Sequence, residues 1–250
     1  MIAAAILLAA AIALPPTTGA ADYQLGGAYT PPSGVTVVTR DSDSRPAKGI
    51  YSICYVNGFQ TQPADRKWWL SKHKNLVLFR AGKPTIDPNW PDELMLDTST
   101  SAKRAAIAKV IGRTITSCAD KGFAAVEIDN LDSYTRSHRA LSASDNRAMA
   151  TLYAEAAHER GMAIGQKNAA EQTKKLRPIF DFAVAEECYR FNECSSYTRY
   201  YGTHVIDIEY TDDLRGTFAD ACSAKGRPMT ILRDRDLTTK GDTDYVYRSC

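Results

Sequence analysis

The sequence predicts an α/β fold and, within that class, a single (β/α)8 barrel of the TIM type formed by residues 21–250. Eight short apolar runs recur along the chain, and helical patterns fill several of the gaps between them. Their near-continuous hydrophobicity is typical of parallel strands buried on both faces. A chain of 250 residues is also long enough for such a barrel. A doubly wound sheet is the alternative, but no glycine-rich phosphate loop follows the first run.

The predicted strands are rich in β-branched or aromatic residues, and turn signals or helical stretches separate them. They lie at residues 35–39, 50–56, 76–79, 123–128, 162–166, 180–185, 204–208 and 228–232. Helices are predicted at 101–119, 144–160 and 212–224, and a glycine follows each of them within three residues, which is a common stop signal.

Residues 1–20 are predicted to be a signal peptide, so we expect a secreted protein. The first 14 residues are apolar, which is too short for a membrane span of roughly 20 residues. Thr18-Gly19-Ala20 then has the small-x-small pattern of a cleavage site. A buried apolar helix is the alternative interpretation of this segment.

Six cysteines in a secreted protein indicate disulfides. Cys188–Cys194 is the favoured pair because it would brace one loop, and Cys222–Cys250 would hold the C-terminus. Cys54–Cys118 is the pair that remains. Zinc is the alternative, but no two cysteines form a CxxC pair and the four histidines are scattered. We therefore expect no metal and no cofactor.

The balance of charge excludes some partners. The formal net charge is +2, from 31 basic and 29 acidic residues, and no run of like charge stands out. Proteins that bind nucleic acid or membrane surfaces usually carry a basic patch or stripe. We expect neither partner, and we expect a monomer.

Polar residues follow the predicted strands at their carboxyl ends, where barrel enzymes place their active sites. These residues are Tyr55, Asn57, Glu127, Asp129, Asn130, Asp132, Tyr134, Lys167, Asn168, Glu186, Glu187, Glu209 and Tyr210. Helix caps and surface ion pairs are the structural alternative for any one of them. Carboxylates at several strand ends favour glycoside hydrolysis, in which one protonates the leaving oxygen while another attacks the sugar or activates water. Strand periodicity puts Glu127 and Asp129 on one face, so spacing alone leaves both as candidates.

Six segments resemble the motifs of glycoside hydrolase family 114. They are YQLGG at 23–27, ICYVN at 53–57, GFAAVEIDNLDSY at 122–134, AIGQKN at 163–168, FDFAVAEEC at 180–188 and IEY at 208–210. The resemblance implies an endo-α-1,4-polygalactosaminidase with a (β/α)8 fold. It assigns the catalytic aspartate to Asp129 and the catalytic glutamate to Glu187, with the adjacent Glu186 as the alternative. Ile128 stands where many members have proline.

The resemblance also implies a cationic, partly de-acetylated galactosamine polymer as substrate. The acidic candidates fit this independently, since they would make an electronegative cleft that attracts ammonium groups. They are Glu127, Asp129, Asp132, Glu186, Glu187 and Glu209. Lys167 either keeps a neighbouring carboxylate ionised or forms a structural ion pair. Tyr134, Tyr189, Phe191 and Tyr210 are candidate sugar platforms, although core packing is the commoner role of such residues.

Three other functions are alternatives to glycoside hydrolysis. A non-catalytic carbohydrate-binding protein would tolerate loss of either catalytic carboxylate, whereas both are present here. A serine hydrolase is disfavoured because no G-x-S-x-G motif occurs. A metal-dependent sugar deacetylase would need clustered His and Asp ligands, and the histidines lack that spacing.

Overall fold

The computed structural model describes residues 11–250 and confirms the predicted (β/α)8 barrel. Eight parallel strands follow one another around the wall in chain order, and the last of them packs against the first. A short antiparallel strand pairs with the last barrel strand, and a two-stranded hairpin lies outside the wall. Residues 1–10, the first half of the predicted signal peptide, lie outside the described residues.

The strands are β1 (Ala20–Gln24), β2 (Val35–Asp41), β3 (Tyr51–Asn57), β4 (Phe79–Arg80), β5 (Lys83–Pro84), β6 (Ala125–Asp129), β7 (Ala163–Lys167), β8 (Phe182–Glu186), β9 (Val205–Tyr210), β10 (Met229–Arg233) and β11 (Tyr247–Ser249). The helices are α1 (Arg66–Lys72), α2 (Ser101–Lys121), α3 (Ser133–Arg136), α4 (Ala143–His158), α5 (Thr173–Leu176), α6 (Cys194–Tyr201) and α7 (Phe218–Ser223). The barrel wall consists of β1, β2, β3, β6, β7, β8, β9 and β10.

Two strand assignments made from the sequence need correction. The apolar run 76–79 is not a barrel strand: it ends a 3-10 turn and enters the β4–β5 hairpin, where Val77 bridges Leu96. It belongs to the long connection between β3 and α2, within which Leu76, Val77 and Leu78 are buried. The eighth barrel strand is β1, which begins at Ala20, the last residue of the predicted signal peptide. The predicted helix at 212–224 is shorter than expected, because α7 begins only at Phe218.

The core is divided by the barrel wall. Residues that face the interior form one apolar cluster, and residues that face outward pack against α2, α4 and α6 in a second, larger one. Gly165 shows how closely the interior is filled, since a Cβ atom there would lie 2.5 Å from the Phe182 ring. The absent side chain at Gly165 leaves room for the ring of Phe182 at the centre of the barrel.

Three disulfides stabilise the fold, and all three pairings expected from the sequence are confirmed. Cys54–Cys118 joins β3 to α2, Cys188–Cys194 closes the loop after β8, and Cys222–Cys250 holds the C-terminus against α7. The first bridge therefore ties a helix to the barrel wall, and the other two fix a loop and the chain end to helices α6 and α7.

The segment before β1 lies against the barrel rather than away from it. Tyr51 donates its hydroxyl to the Ala13 carbonyl at 2.7 Å, and Thr36 donates to the Thr18 carbonyl at 2.7 Å. Ile12 packs against the interior apolar cluster. Among the helices of residues 11–250, none combines the length and apolar character needed to cross a bilayer.

Candidate active site

Alternation along the strands places charged residues at the carboxyl end of the barrel interior. Asp129, Lys167 and Glu186 are the last residues of β6, β7 and β8. Two positions earlier, Gly165 and Val184 face the same interior, because side chains of a strand alternate between its two faces. Three neighbouring strands therefore deliver three charged side chains to one place.

Lys167 is the centre of this group. Its ammonium nitrogen lies 3.2 Å from Glu186 Oε2, 3.4 Å from Glu127 Oε1 and 3.7 Å from Asp129 Oδ2, and its side chain is only 2% exposed. Burial alone would lower the pKa of this ammonium, but the three carboxylates outweigh burial and raise the pKa well above its usual value. Lys167 is therefore a permanently charged partner for three carboxyl groups.

Asp129 is held by two donors besides this ion pair. The Tyr55 hydroxyl donates to Oδ2 at 2.8 Å, and the backbone N–H of Asn130 donates to Oδ1 at 2.7 Å. Both oxygens are therefore oriented, and the side chain lines the cavity described below.

Glu186 is held in a similar way from the opposite side. The Tyr210 hydroxyl donates to Oε1 at 2.5 Å, and the Asn168 amide donates to Oε2 at 2.9 Å. Burial acts to raise the pKa of Glu186, but the Lys167 ammonium and these hydrogen bonds outweigh it and leave the pKa below its usual value. Glu186 is therefore ionised at neutral pH.

Glu187 has different surroundings from Glu186. Its two carboxylate oxygens accept from the Arg235 guanidinium at 2.9 and 3.1 Å, and Arg235 also binds Asp212. The Glu187 backbone is left-handed, with φ of 61°, a conformation that residues other than glycine rarely adopt. The chain leaves β8 by a sharp turn at this residue, and the guanidinium of Arg235 neutralises the side chain.

Glu127 lies one layer deeper than Asp129 and is completely buried. The Tyr23 hydroxyl donates to its Oε1 at 2.5 Å and accepts from Lys167 at 2.9 Å. Burial raises the pKa of Glu127 to about 7, against the lowering effect of Lys167 and Tyr23. Glu127 is not among the residues that line the cavity and supports the group from below.

A cavity of about 280 Å³ opens above these side chains. Five carboxylates and three cationic groups line it, together with tyrosine, asparagine, leucine and tryptophan side chains. The charged residues are Glu93, Asp129, Asp132, Glu186, Glu187, Arg136, Lys167 and Arg235. The arrangement presents paired carboxyl groups to a polar ligand at the carboxyl end of the barrel, where barrel enzymes act.

The model of glycoside hydrolase family GH114 matches residues 3–250. The chain belongs to this family. It is therefore a glycoside hydrolase, as the sequence predicted. Among curated proteins, none matches this sequence.

Solved structures share the fold of this GH114 enzyme. Ega3 of Aspergillus fumigatus, crystallised in complex with galactosamine, is 23% identical with a TM-score of 0.74, covering 96% of this chain and 98% of its own. The glycoside hydrolase domain of PelA from Pseudomonas aeruginosa is 15% identical with a TM-score of 0.58, covering 91% of this chain and 99% of its own. The trehalulose synthase MutB of Pseudomonas mesoacidophila is 8% identical with a TM-score of 0.52, covering 78% of this chain and 57% of its own.

Most of the candidates predicted for the GH114 enzyme come together at the cavity. Those that line it are Tyr55, Asp129, Asn130, Asp132, Lys167, Asn168, Glu186, Glu187 and Tyr210. Asn57 lies just behind the cavity wall, where its side chain donates to Glu93 at 2.9 Å and accepts from Asn130 at 3.0 Å.

Two predicted substrate-binding residues lie elsewhere. Glu209 precedes Tyr210 in β9, and adjacent residues of a strand point to opposite faces, so Glu209 faces outward while Tyr210 faces the interior. Glu209 accepts from the backbone N–H of Tyr189 at 2.9 Å. Its role is to hold the loop after β8. Tyr134 follows the turn after β6 and donates to Glu171 at 2.6 Å, outside the cavity.

The sequence did not single out several residues that line the cavity or support it. Arg235 follows the end of β10, so the rule that selected the other strand ends could have found it. Tyr23 lies in β1, which was not predicted as a strand. Trp90 and Glu93 belong to the irregular connection between β5 and α2, where no periodicity marks them.

Proposed function

We propose that this glycoside hydrolase cleaves α-1,4 linkages in a galactosamine-containing polysaccharide, with Asp129 and Glu186 as the reacting carboxyl groups. The observation that carries the proposal is their common contact with the Lys167 ammonium, 3.7 Å from Asp129 Oδ2 and 3.2 Å from Glu186 Oε2. Two neighbouring carboxyl groups beside a cavity are what glycoside hydrolysis requires. The resemblance to polygalactosaminidases and the fold shared with Ega3 support this choice of substrate.

In this proposal Glu186, the alternative that the family resemblance left open, has the catalytic role in place of Glu187. The Glu186 side chain is 28% exposed, whereas that of Glu187 is 12% exposed and has both oxygens bound by Arg235. Glu186 also lies on the interior face of β8, beside the same ammonium as Asp129. Its lowered pKa suits it to attack the sugar or to activate water, which leaves proton donation to Asp129.

The charge of the cavity supports a cationic substrate. Five carboxylates and three cationic groups line it, so negative charge is in excess by two when all are ionised. Amines on a de-acetylated galactosamine polymer are protonated at neutral pH. A cleft of opposite sign concentrates such a ligand and speeds its association.

Incubating the protein with an α-1,4-galactosamine polymer tests this function, with the products sized by mass spectrometry. We expect oligosaccharides that shorten with time, as internal cleavage produces. Asp129→Asn keeps the shape of the side chain and should lower kcat/KM by at least about a hundredfold, the low end for a positioned acid or base. A folded Asp129→Asn variant with wild-type turnover, or a polymer that stays intact, would contradict the proposal.

We also propose that the enzyme is secreted after removal of residues 1–20. The three disulfides support an oxidising compartment. Cleavage after Ala20 would remove the contacts that Ile12, Ala13 and Thr18 make with the barrel. N-terminal sequencing of secreted protein should find a chain that begins near Ala21, and a start before Ile12 would mean that the segment is kept as part of the fold.

A further inference from the structure

We propose that Glu93 is a specificity-determining residue that binds the protonated amine of a hexosamine unit in the cavity. The inference rests on the proposed function, and it names the side chain that would distinguish de-acetylated from acetylated polymer. Glu93 belongs to the connection between β5 and α2, apart from the strand ends that carry the reacting carboxyl groups.

The connection is folded so that it brings Glu93 to the cavity. Ile86 and Leu94 pair as an antiparallel bridge, and the Glu93 N–H donates to the Trp90 carbonyl at 2.9 Å. Trp90 lies at the tip of this turn and is 60% exposed, whereas Glu93 lies at its base and is 9% exposed. Both residues line the cavity.

Glu93 differs from the other four carboxylates of the cavity wall in having no cation of its own. Among residues 11–250, Lys167 pairs with Asp129 and Glu186, Arg136 with Asp132, and Arg235 with Glu187. The described ion pairs include none for Glu93, and its one hydrogen-bond donor is the neutral amide of Asn57 at 2.9 Å.

A buried carboxylate without a cation is unfavourable when it is charged. Burial raises the pKa of Glu93 to about 7, and the charges of Asp129 and Asp87 act in the same direction, while Asn57 and Arg136 oppose them. Arg136 is already bound to Asp87 at 2.6 Å and to Asp132 at 2.8 Å. A cation that arrives with the ligand would supply the missing partner.

The ammonium group of galactosamine has the chemistry that this position lacks. It carries one positive charge and three N–H donors, and a nearby opposite charge favours the ionised form of a carboxyl group. An N-acetyl group has no charge and is larger. Hydrogen bonds to charged groups contribute about 1.5–3 kcal/mol. We therefore expect the loss of this contact to weaken recognition by roughly ten- to a hundredfold.

Glu93→Gln tests the proposal because the amide oxygen can still accept from Asn57. The measurement is kcat/KM on a de-acetylated α-1,4-galactosamine oligomer and on its fully N-acetylated counterpart. We expect the variant to lose roughly ten- to a hundredfold on the first and less than about threefold on the second. Glu193→Gln is the matched control, because burial also raises the pKa of Glu193 but this residue does not line the cavity.

An equal loss on both oligomers would overturn the inference, since it would place Glu93 in the chemistry or in the support of the wall. No loss on either oligomer would also overturn it. If the wild-type enzyme cleaves neither oligomer, the proposed function fails, and calorimetric binding of the de-acetylated oligomer decides the inference. Weaker binding by Glu93→Gln supports it, and equal binding by variant and wild type overturns it.

Discussion

Two groups of carboxylates lie at the ends of neighbouring strands, on opposite sides of the barrel wall. Inside, Asp129 and Glu186 share the ammonium of Lys167 and face the cavity. Outside, Asp207 and Glu209 project from β9 beneath the loop closed by Cys188–Cys194, and the ion pairs described for residues 11–250 include neither of them.

The carboxyl groups of the outer pair are held by backbone donors, and not by any cation among the ion pairs described for residues 11–250. Burial raises the pKa of Asp207 well above its usual range, and the charge of Glu209 adds to this effect. Burial also raises the pKa of Glu209, although the backbone N–H groups of Tyr189 and Arg190 act to lower it. Both carboxyl groups therefore hold a proton to a higher pH than in the unfolded chain, and they titrate as a pair.

The difference between the two groups shows what a shared cation does. Inside the barrel, the Lys167 ammonium keeps Glu186 ionised and available for chemistry. Outside, where the ion pairs described for residues 11–250 supply no such partner, burial raises the pKa of similar residues, and their carboxyl groups brace a loop by accepting from its backbone. Metal binding does not change this view of the outer pair, because the sulfurs nearest Asp207 are joined in the Cys188–Cys194 disulfide.

The largest effect should come from removing the shared cation. Lys167→Met leaves Glu127, Asp129 and Glu186 without their ammonium, and breaking a buried ion pair in this way typically costs about 3–5 kcal/mol. Urea unfolding at pH 7 should show a loss of this size in the free energy of unfolding. The loss should shrink at pH 5, because protonation removes the unpaired negative charge. Lys109→Met, on the exposed face of α2, is the control and should change stability little.

The next largest effect should be a difference in activity between variants of the two adjacent glutamates, Glu186 and Glu187. Glu186→Gln should lower kcat/KM by at least about a hundredfold, since it removes the carboxylate beside Lys167. Glu187→Gln should cost much less, because it disturbs the contact with Arg235 and leaves the reacting pair intact. The comparison needs kinetics on one polymer and circular dichroism to show that both variants fold. A reversed order would return the catalytic role to Glu187, as the sequence predicted.

The smallest effect should appear at the outer pair and should concern stability rather than activity. In the unfolded chain an aspartate has a pKa of about 3.9. In the folded state the pKa of Asp207 is raised, so the folded protein binds this proton more tightly than the unfolded chain does. The free energy of unfolding that Asp207 contributes therefore falls as the pH rises above about 3.9. Asp207→Asn removes this loss. Between pH 4 and pH 7, the free energy of unfolding of Asp207→Asn should therefore increase relative to that of the wild type.

Two measurements complete the test of the outer pair. The kcat/KM of Asp207→Asn should stay within about twofold of wild type, in line with a residue away from the chemistry. Asp244→Asn, at an exposed site, is the control for the pH dependence. Equal pH dependence of wild type and Asp207→Asn would show that folding does not raise the pKa of Asp207.

The sequence predicts the carboxylates inside the barrel better than it predicts which nearby residues, such as Glu209, lie outside the site. Periodicity correctly placed Glu127 and Asp129 on one face, and the motif resemblance named most of the cavity wall. The side of β9 could not be chosen from sequence, because Val205 and Ile206 are both apolar and buried on opposite faces. Glu209 was therefore grouped with Tyr210, although adjacent residues of a strand point in opposite directions.

Other misses have equally local causes. Strand β1 has only five residues and begins at the last residue of the predicted signal peptide, and its polar Asp22 and Gln24 interrupt the apolar pattern that marked the other strands. Residues 76–78 form an apolar run that a buried connection uses as readily as a strand. Glu93 lies in an irregular connection, and only the folded chain brings it beside Asp129.

The depth of Lys167 has a consequence for the behaviour of the enzyme in salt. Mobile ions shorten the reach of exposed charges to about 8 Å at physiological ionic strength, but they screen buried pairs much less. The side chain of Lys167 is only 2% exposed, so salt should hardly weaken the attraction between its ammonium and the carboxylates of Asp129 and Glu186. Capture of a charged polymer at the partly exposed Asp132 remains open to screening. Salt should therefore raise KM and leave kcat nearly constant. Polymer binding would then depend on ionic strength, whereas the rate of bond cleavage would not.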